Sequence, residues 1–155
     1  MIMALWLAAC SESPPPVDLR VAGAVAGLPS TIEIYQGQIH RINPGIRAAD
    51  VSGAQIDAGW LKLFHNENVL APDQWPSQGW THVHLMDASE LAQVPTDTEV
   101  RLTRGPTAPA TPPPIAPGQT ADLTVVDQAG APVATIVGGD IIWANPEYLS
   151  DQPAH

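Results

Sequence analysis

The stretch from Ile115 to Trp143, IAPGQTADLTVVDQAGAPVATIVGGDIIW, decides the fold class of this chain. It contains short runs rich in valine, isoleucine and threonine, separated by turns that contain glycine. β-Branched residues favour strands, and glycine permits the tight turns that reverse them. The stretch therefore predicts a hairpin of strands at 121–126 and 133–137, followed by a third strand at 140–143.

The rest of the chain shows the same pattern of short strands and turns. Glycine and proline number 12 and 17 of the 155 residues, and both break helices. The segment DASELAQ, capped by Asp87, is the helical candidate. Further strands are predicted at 17–22, 31–35, 38–42 and 54–56 and in GWLKLFH, THVHLM and TEVRLTR. The expected fold is mainly β: a small β-sandwich or partly open barrel with at most one short helix.

Length and composition indicate a single domain. With 45% hydrophobic residues, 155 residues can bury one modest core. We expect this domain at 17–146, with an irregular, proline-rich insert at 66–118 and a flexible tail at 147–155. Six prolines between Gly105 and Pro117 predict a surface spacer, with a proline-rich ligand as the alternative. The net charge of −10 argues against nucleic acid as a partner.

The N-terminal segment MIMALWLAACSES predicts a processed leader. An apolar run ends in Leu7-Ala8-Ala9-Cys10, which resembles the bacterial lipoprotein signal, in which the cysteine is lipidated and becomes the first residue. The resemblance implies a leader at 1–9, a tether at 10–16 and a membrane lipid anchor on Cys10. Ser11, at the position after the cysteine, resembles the signal that sorts lipoproteins to the outer membrane. The expected location is therefore the bacterial cell envelope. The alternative is a buried cysteine in an apolar N-terminal segment.

Three stretches together resemble the metal-dependent amidohydrolase superfamily. They are DLRVAGAVAGLPSTIEIYQGQIHRI, DVSGAQIDAGWL, and IAPGQTADLTVVD followed by VATIVGGDIIW. Enzymes of that superfamily combine a catalytic (β/α)8 barrel with a small β-sandwich that is assembled from both ends of the chain. The resemblance therefore implies the composite sandwich for this chain, and by family a hydrolase acting on carbon–nitrogen bonds other than peptide bonds.

The catalytic barrel has no room between the two halves of that sandwich. Residues 60–114 separate Gly59 from Ile115, whereas a (β/α)8 barrel needs roughly 200 to 250 residues. The family's His-x-His pair falls on Phe64 and Asn66, which are poor metal ligands. Lys62, the single lysine, is the one candidate for the family's carboxylated lysine. These departures predict a retained scaffold without catalysis of its own.

One motif keeps metal chemistry open. His82 and His84 are two residues apart in WTHVHLMD, so both imidazoles lie on one side of a strand. Zinc or another divalent metal could bind there, and His65, Asp87 or Glu90 could supply a third ligand. We take His82, His84 and His65 as the candidate set for the alternative function, a partial metal-dependent hydrolase. The first expectation is two solvated histidines and a domain without a cofactor.

The tryptophans and the vacated sandwich face lead to predictions about packing and partners. Trp60 and Trp143 lie in predicted strands and are expected in the sandwich core. Trp75 and Trp80 flank PSQG, where they form either an exposed docking site or a loop plug. Loss of the barrel would expose an apolar face. We expect residues 66–104 to cover that face, or a homodimer or a partner chain that supplies the barrel.

Overall fold

A computed structural model describes residues 16–45, 53–65, 69, 71–86, 94, 97–107, 109 and 111–147. The leader, Cys10, the helix predicted in DASELAQ and the end of the chain beyond Glu147 lie outside the described residues. Within the described part, no helix is both long and apolar enough to cross a membrane.

Seven strands form the larger of two sheets. They are β1 Leu19–Val25, β2 Leu28–Tyr35, β3 Gln38–Pro44, β4 Gln55–Ala58, β8 Leu123–Val126, β9 Pro132–Val137 and β10 Asp140–Ala144. The spatial order is β10-β9-β8-β4-β1-β2-β3, so the sheet combines the first four strands with the last three. All neighbours are antiparallel except β1 and β4, which pair in parallel at Ala24 and Gln55.

This sheet folds on itself to give a small sandwich. One half is β1–β2–β3, the other is β4–β8–β9–β10, and the single β1–β4 bridge joins them. One hydrophobic cluster takes residues from both halves, so the core lies between them. Its fully buried members include Ile32, Ile34, Ile39, Ile56, Leu123, Val125 and Ile136. The predicted fold class, a mainly β sandwich-like domain, is confirmed.

The strand directions give the sandwich two distinct ends. We call the end where β1 begins the proximal end; it holds Asp18, the Gln36-Gly37 turn, residues 118–122 and the Gly138-Gly139 turn. The opposite, distal end holds the Ala26-Gly27 turn, Gly53 and residues 127–130.

At the proximal end the two halves of the sandwich touch. Gln36 and Gly37 have φ of 50° and 75°, the left-handed pair of a two-residue hairpin turn. A β-carbon on Gly37 would lie 2.7 Å from the Gly138 carbonyl oxygen, so this contact requires glycine. The two edge strands, β3 and β10, do not pair with each other. Residues 118–121 lie between them and contact β3 through one isolated bridge, Gln38 to Thr120, so the described strands do not close into a barrel.

A second, three-stranded sheet contains the strands predicted in GWLKLFH, THVHLM and TEVRLTR, the last two of them within the segment 66–118. Its strands are β5 Trp60–Phe64, β6 Trp80–Leu85 and β7 Arg101–Arg104, and all pairings are parallel. Each connection has fifteen residues, 65–79 and 86–100, and parallel neighbours need crossovers of about this length. The first crossover contains two three-residue 3-10 helices, Pro72–Gln74 and Pro76–Gln78.

The first crossover covers the outer face of the large sheet. Thr124 and Thr135 are opposite each other on β8 and β9, on the side away from the sandwich core, and both are fully buried. The Thr124 hydroxyl donates to the Gly79 carbonyl (2.7 Å) and the Thr135 hydroxyl to the Pro76 carbonyl (2.6 Å). Residues 76–79 of this crossover therefore cover part of the outer face of β8 and β9.

The structure decides between the two alternatives for Trp75 and corrects the prediction for Trp60 and Trp143. Trp75 is 0% exposed and packs against Phe64 in the cluster under the small sheet, so it is a plug and not an exposed docking residue. Trp80 is partly buried against the same cluster. Trp60 and Trp143 are intermediate in burial and lie outside the sandwich core. Trp60 begins β5 of the small sheet, and Trp143 pairs with Thr135, on the face of the large sheet that points away from that core.

The predicted strands are confirmed with shifted boundaries. The predicted strand 17–22 begins at Leu19 and continues to Val25, and the one at 31–35 begins three residues earlier. In TEVRLTR the strand covers its last four residues. The turns at Gln36-Gly37 and Gly138-Gly139 are as predicted.

We predict that Gly59→Ala destabilises the fold. Gly59 lies between β4 and β5, where the chain passes from one sheet to the other, and its N–H donates to the Asp122 carbonyl (2.8 Å). A β-carbon there would collide with the Thr81 hydroxyl and lie 3.0 Å from Thr81 Cβ. We expect a loss of about 1 to 3 kcal/mol in unfolding free energy by urea denaturation.

Gly130→Ala is the control for this substitution. A β-carbon at Gly130 meets nothing within 4 Å, so its cost is that of a positive φ alone. Equal losses for the two variants would contradict the crowding at Gly59.

Candidate functional site

Asp122 is a buried charged residue at the junction of the two sheets, and groups from both sheets bind its side chain. Its side chain is 1% exposed and lies just before β8 at the proximal end. Arg101 on β7 binds it with two hydrogen bonds, from Nε to Oδ2 (2.6 Å) and from Nη2 to Oδ1 (3.1 Å). The Gly138 N–H also donates to Oδ1 (2.7 Å). A buried carboxylate is tolerated only with such partners, so Asp122 joins β7, β8 and the β9–β10 turn.

His82 approaches the same carboxylate from β6. Its Nε2 lies 3.5 Å from Asp122 Oδ2, and its Nδ1 is 2.8 Å from the hydroxyl oxygen of Thr81. The His82 side chain is 18% exposed. We call His82, Arg101 and Asp122 the junction cluster, because the first two belong to the small sheet and the third to the large one.

The charges of the junction cluster follow from burial. Loss of hydration lowers the pKa of the His82 imidazole below its usual value; Asp122 opposes this shift and Arg101 adds to it. The hydrogen bond to Asp122 raises the pKa of the Arg101 guanidinium. At neutral pH the cluster therefore holds one Arg–Asp ion pair beside a neutral imidazole.

His84 is held by two protein groups. It is 2% exposed, its Nδ1 lies 2.8 Å from the Thr103 hydroxyl, and its Nε2 lies 2.9 Å from the Gly105 carbonyl oxygen. A carbonyl can only accept, so Nε2 carries a proton and donates it. His84 thus fixes the end of β7 and the start of the following loop to β6.

The structure brings part of the predicted metal set together. His82 and His84 lie on one face of β6, as predicted, opposite Arg101 and Thr103 in register. His65 is exposed and follows β5, and Asp87 and Glu90 lie outside the described residues. Among the residues that the structure describes, no three His, Cys, Asp or Glu side chains are grouped so that they could hold a metal ion.

Phe64 and Lys62 stand at positions where the family has metal ligands; Asn66, the other such position, lies outside the described residues. Phe64 is buried and forms an edge-on contact with Trp80. The Lys62 ammonium lies 5.1 Å from the centre of the Phe64 ring and 5.8 Å from that of Trp80. These distances are typical of cation–π contacts, so Lys62 supports the small sheet.

Together with Thr81, two members of the junction cluster resemble a nucleophile–base–acid arrangement. A hydroxyl, an imidazole and a carboxylate follow one another as Thr81, His82 and Asp122. Thr81, however, is 0% exposed, and its hydroxyl also lies 3.3 Å from the Trp60 carbonyl oxygen. A nucleophile must reach its substrate, so this arrangement serves packing between the strands.

Sequence reasoning does not single out Asp122 or Arg101. Arg101 alternates with apolar residues in TEVRLTR, as any exposed strand residue would. Asp122 precedes the apolar run LTVV, and this carboxylate at the entry to a buried strand is the signal that could have found it.

No family model matches the chain, and neither a curated protein nor a solved structure is significantly similar to it. The amidohydrolase resemblance and the lipoprotein signal therefore stay predictions.

We predict that Asp122→Ala costs about 2 to 4 kcal/mol in unfolding free energy. The change removes the acceptor of Arg101 and leaves the Gly138 N–H without its partner. Arg101 is 43% exposed and can turn to water, which keeps the loss below that of a fully buried pair. Urea denaturation measures the difference.

Glu33→Gln is the matched control for Asp122→Ala. It alters the surface pair between Arg20 and Glu33, where Arg20 is 65% exposed, and we expect a cost below about 1 kcal/mol. A loss at Asp122 no greater than at Glu33 would show that the junction cluster does not join the sheets.

We also predict that acid weakens the fold through His82. The unfolded imidazole takes up a proton near its usual pKa of 6.5, whereas the folded one does so only at lower pH. The unfolded state therefore binds more protons in this interval, and stability falls as the pH decreases from about 7 through the lowered pKa. Urea denaturation at several pH values measures the slope.

The His82→Gln variant isolates this contribution. It should show a shallower decline of stability with falling pH over the same interval, because the titrating group is gone. A wild-type decline equal to that of the variant would be evidence against a lowered pKa for His82.

Proposed function

We propose that this chain is a lipid-anchored β-sandwich module of the bacterial cell envelope, with a structural or binding role and without catalysis of its own. Cys10 would carry the lipid, and the described domain would lie outside the cytoplasm. The amidohydrolase resemblance would then reflect the ancestry of the scaffold.

The proposal rests on Asp122 and His84, two buried polar side chains at the junction of the described sheets, which are both engaged by other groups of the protein. Asp122 is satisfied by Arg101 and Gly138, and both ring nitrogens of His84 have protein partners. In an active centre such groups are aimed at a site where a substrate atom can lie. Here they join β6, β7, β8 and the β9–β10 turn, which supports a scaffold function.

The order of strands also supports the proposal. The large sheet draws β1 to β4 from residues 19–58 and β8 to β10 from residues 123–144. This composite assembly is what the amidohydrolase resemblance implies. In the sequence, the residues between the two sets form the three-stranded sheet, and Trp75 belongs to a second hydrophobic cluster with Phe64.

The test of the proposed function measures lipid and metal on the same protein. The full chain is expressed in a bacterium with a labelled fatty acid and purified from the membrane fraction in detergent. We expect label on the wild type, loss of label in Cys10→Ser, and less than stoichiometric zinc by elemental analysis.

Two outcomes would overturn this proposal. Wild-type protein without fatty acid would remove the lipid anchor. Stoichiometric zinc that disappears in His82→Ala and His84→Ala but stays in the exposed control His40→Ala would instead favour the partial metal-dependent hydrolase. A matched loss of zinc in all three variants would indicate nonspecific binding and leave the scaffold function standing.

A further inference from the structure

We propose that the proximal end of the sandwich rests on the membrane surface, where a polar hollow receives phospholipid headgroups. This inference rests on the proposed function, because it needs the lipid on Cys10. It adds an interaction surface and its partner, a bilayer of zwitterionic and anionic phospholipids.

The length of chain between the anchor and the fold is the first argument. Asp18 is fixed at the proximal end, since its N–H donates to the Ile34 carbonyl (2.8 Å) and its Oδ2 accepts from the Gln36 N–H (2.6 Å). Eight residues from Cys10 to Asp18 reach at most about 29 Å when fully extended. The proximal end therefore lies within that distance of the acylated cysteine.

The direction of the strands is the second argument. β1 leads away from the proximal end for seven residues, so the distal end is about 20 Å farther from the anchor. To lay the distal end on the bilayer, the segment before Asp18 would have to run back along the whole sandwich. The sequence Pro14-Pro15-Pro16 opposes such a reversal, because a residue that is followed by proline favours extended backbone.

The chemistry of the proximal end is the third argument. A hollow of about 260 Å³ opens there, lined by Tyr35, Gln36, Gln38, Ile39, His40 and Gly118. Its lining contains amide, phenol and imidazole groups and no carboxylate. These groups can donate hydrogen bonds to phosphate oxygens, and an amide oxygen can accept from an ammonium group.

Charge favours the same orientation. The chain carries a net charge of −10, and bacterial phosphatidylglycerol is anionic, so a bilayer that contains this lipid repels the chain as a whole. The Asp18 carboxylate at this end is engaged by the Gln36 N–H, and the Gln36 side chain donates to the Tyr35 hydroxyl. A hollow without carboxylates is therefore the part of this end that a headgroup can approach at least cost.

The experiment measures which end approaches lipid. Gln119→Cys provides a thiol for a fluorescent label at the proximal end, and Gln128→Cys provides one at the distal end. Both residues are exposed. Cys10 is the single native cysteine, so an acylated chain offers only the introduced thiol. The labelled full chain is reconstituted in vesicles of phosphatidylethanolamine and phosphatidylglycerol that carry a nitroxide on the headgroup.

We expect at least about twofold stronger quenching at Gln119→Cys than at Gln128→Cys, because the two ends are about 20 Å apart. Adding Gln36→Glu and Gln38→Glu to the Gln119→Cys variant should lower its quenching about twofold or more, since carboxylates are repelled by phosphatidylglycerol. Gln128→Glu is the matched control and should leave quenching at Gln119→Cys unchanged.

Equal quenching at both ends, or stronger quenching at the distal end, would overturn the orientation. Quenching that persists with glutamates at positions 36 and 38 would overturn headgroup binding in the hollow. A label shielded in native membranes but not quenched on protein-free vesicles would assign the proximal end to a protein partner and also overturn the proposal. Two free thiols in the reconstituted chain would show that Cys10 is not acylated. That result would contradict the lipid anchor of the proposed function, on which the orientation depends.

Discussion

The buried charge of Asp122 is the constraint on which the arrangement of the two sheets depends. A carboxylate that is 1% exposed must find partners, and Arg101 and Gly138 supply them from different elements. Its backbone carbonyl also accepts from Gly59, where the chain passes from one sheet to the other. The side chain and main chain of one residue therefore set the position of the small sheet relative to the large one.

Two hydroxyl groups complete the attachment on the outer face of the large sheet. Thr124 and Thr135 bind the carbonyls at the two ends of the second 3-10 helix, and this places Trp75 under the small sheet. The domain thus has two cores, one inside the sandwich and one beneath the parallel strands. Polar contacts lie between them and specify how the cores are joined.

The sequence predicts the strands well because alternation and turn residues are local signals. The turns at Gln36-Gly37 and Gly138-Gly139 and the three closing strands follow directly from residue type. The parallel pairing of β5, β6 and β7 depends on contacts between segments far apart in the chain. The fifteen-residue connections are the sequence signal for it, because parallel neighbours need crossovers of a dozen residues or more. The common face of His82 and His84 could be predicted from their spacing, whereas the burial of Trp75 and Asp122 depends on elements far apart in the chain.

The contrast between the turns at the two ends of the sandwich has a consequence for how such a chain can vary. In the hairpin turns of the distal end, Gly27 and Gly130 have open space around them, whereas in those of the proximal end Gly37 and Gly139 press against each other. Longer hairpins can be accommodated where nothing packs on the turn. Insertions and deletions in evolution should therefore accumulate beside Gly27 and Gly130, while the lengths of the β2–β3 and β9–β10 hairpins remain constant.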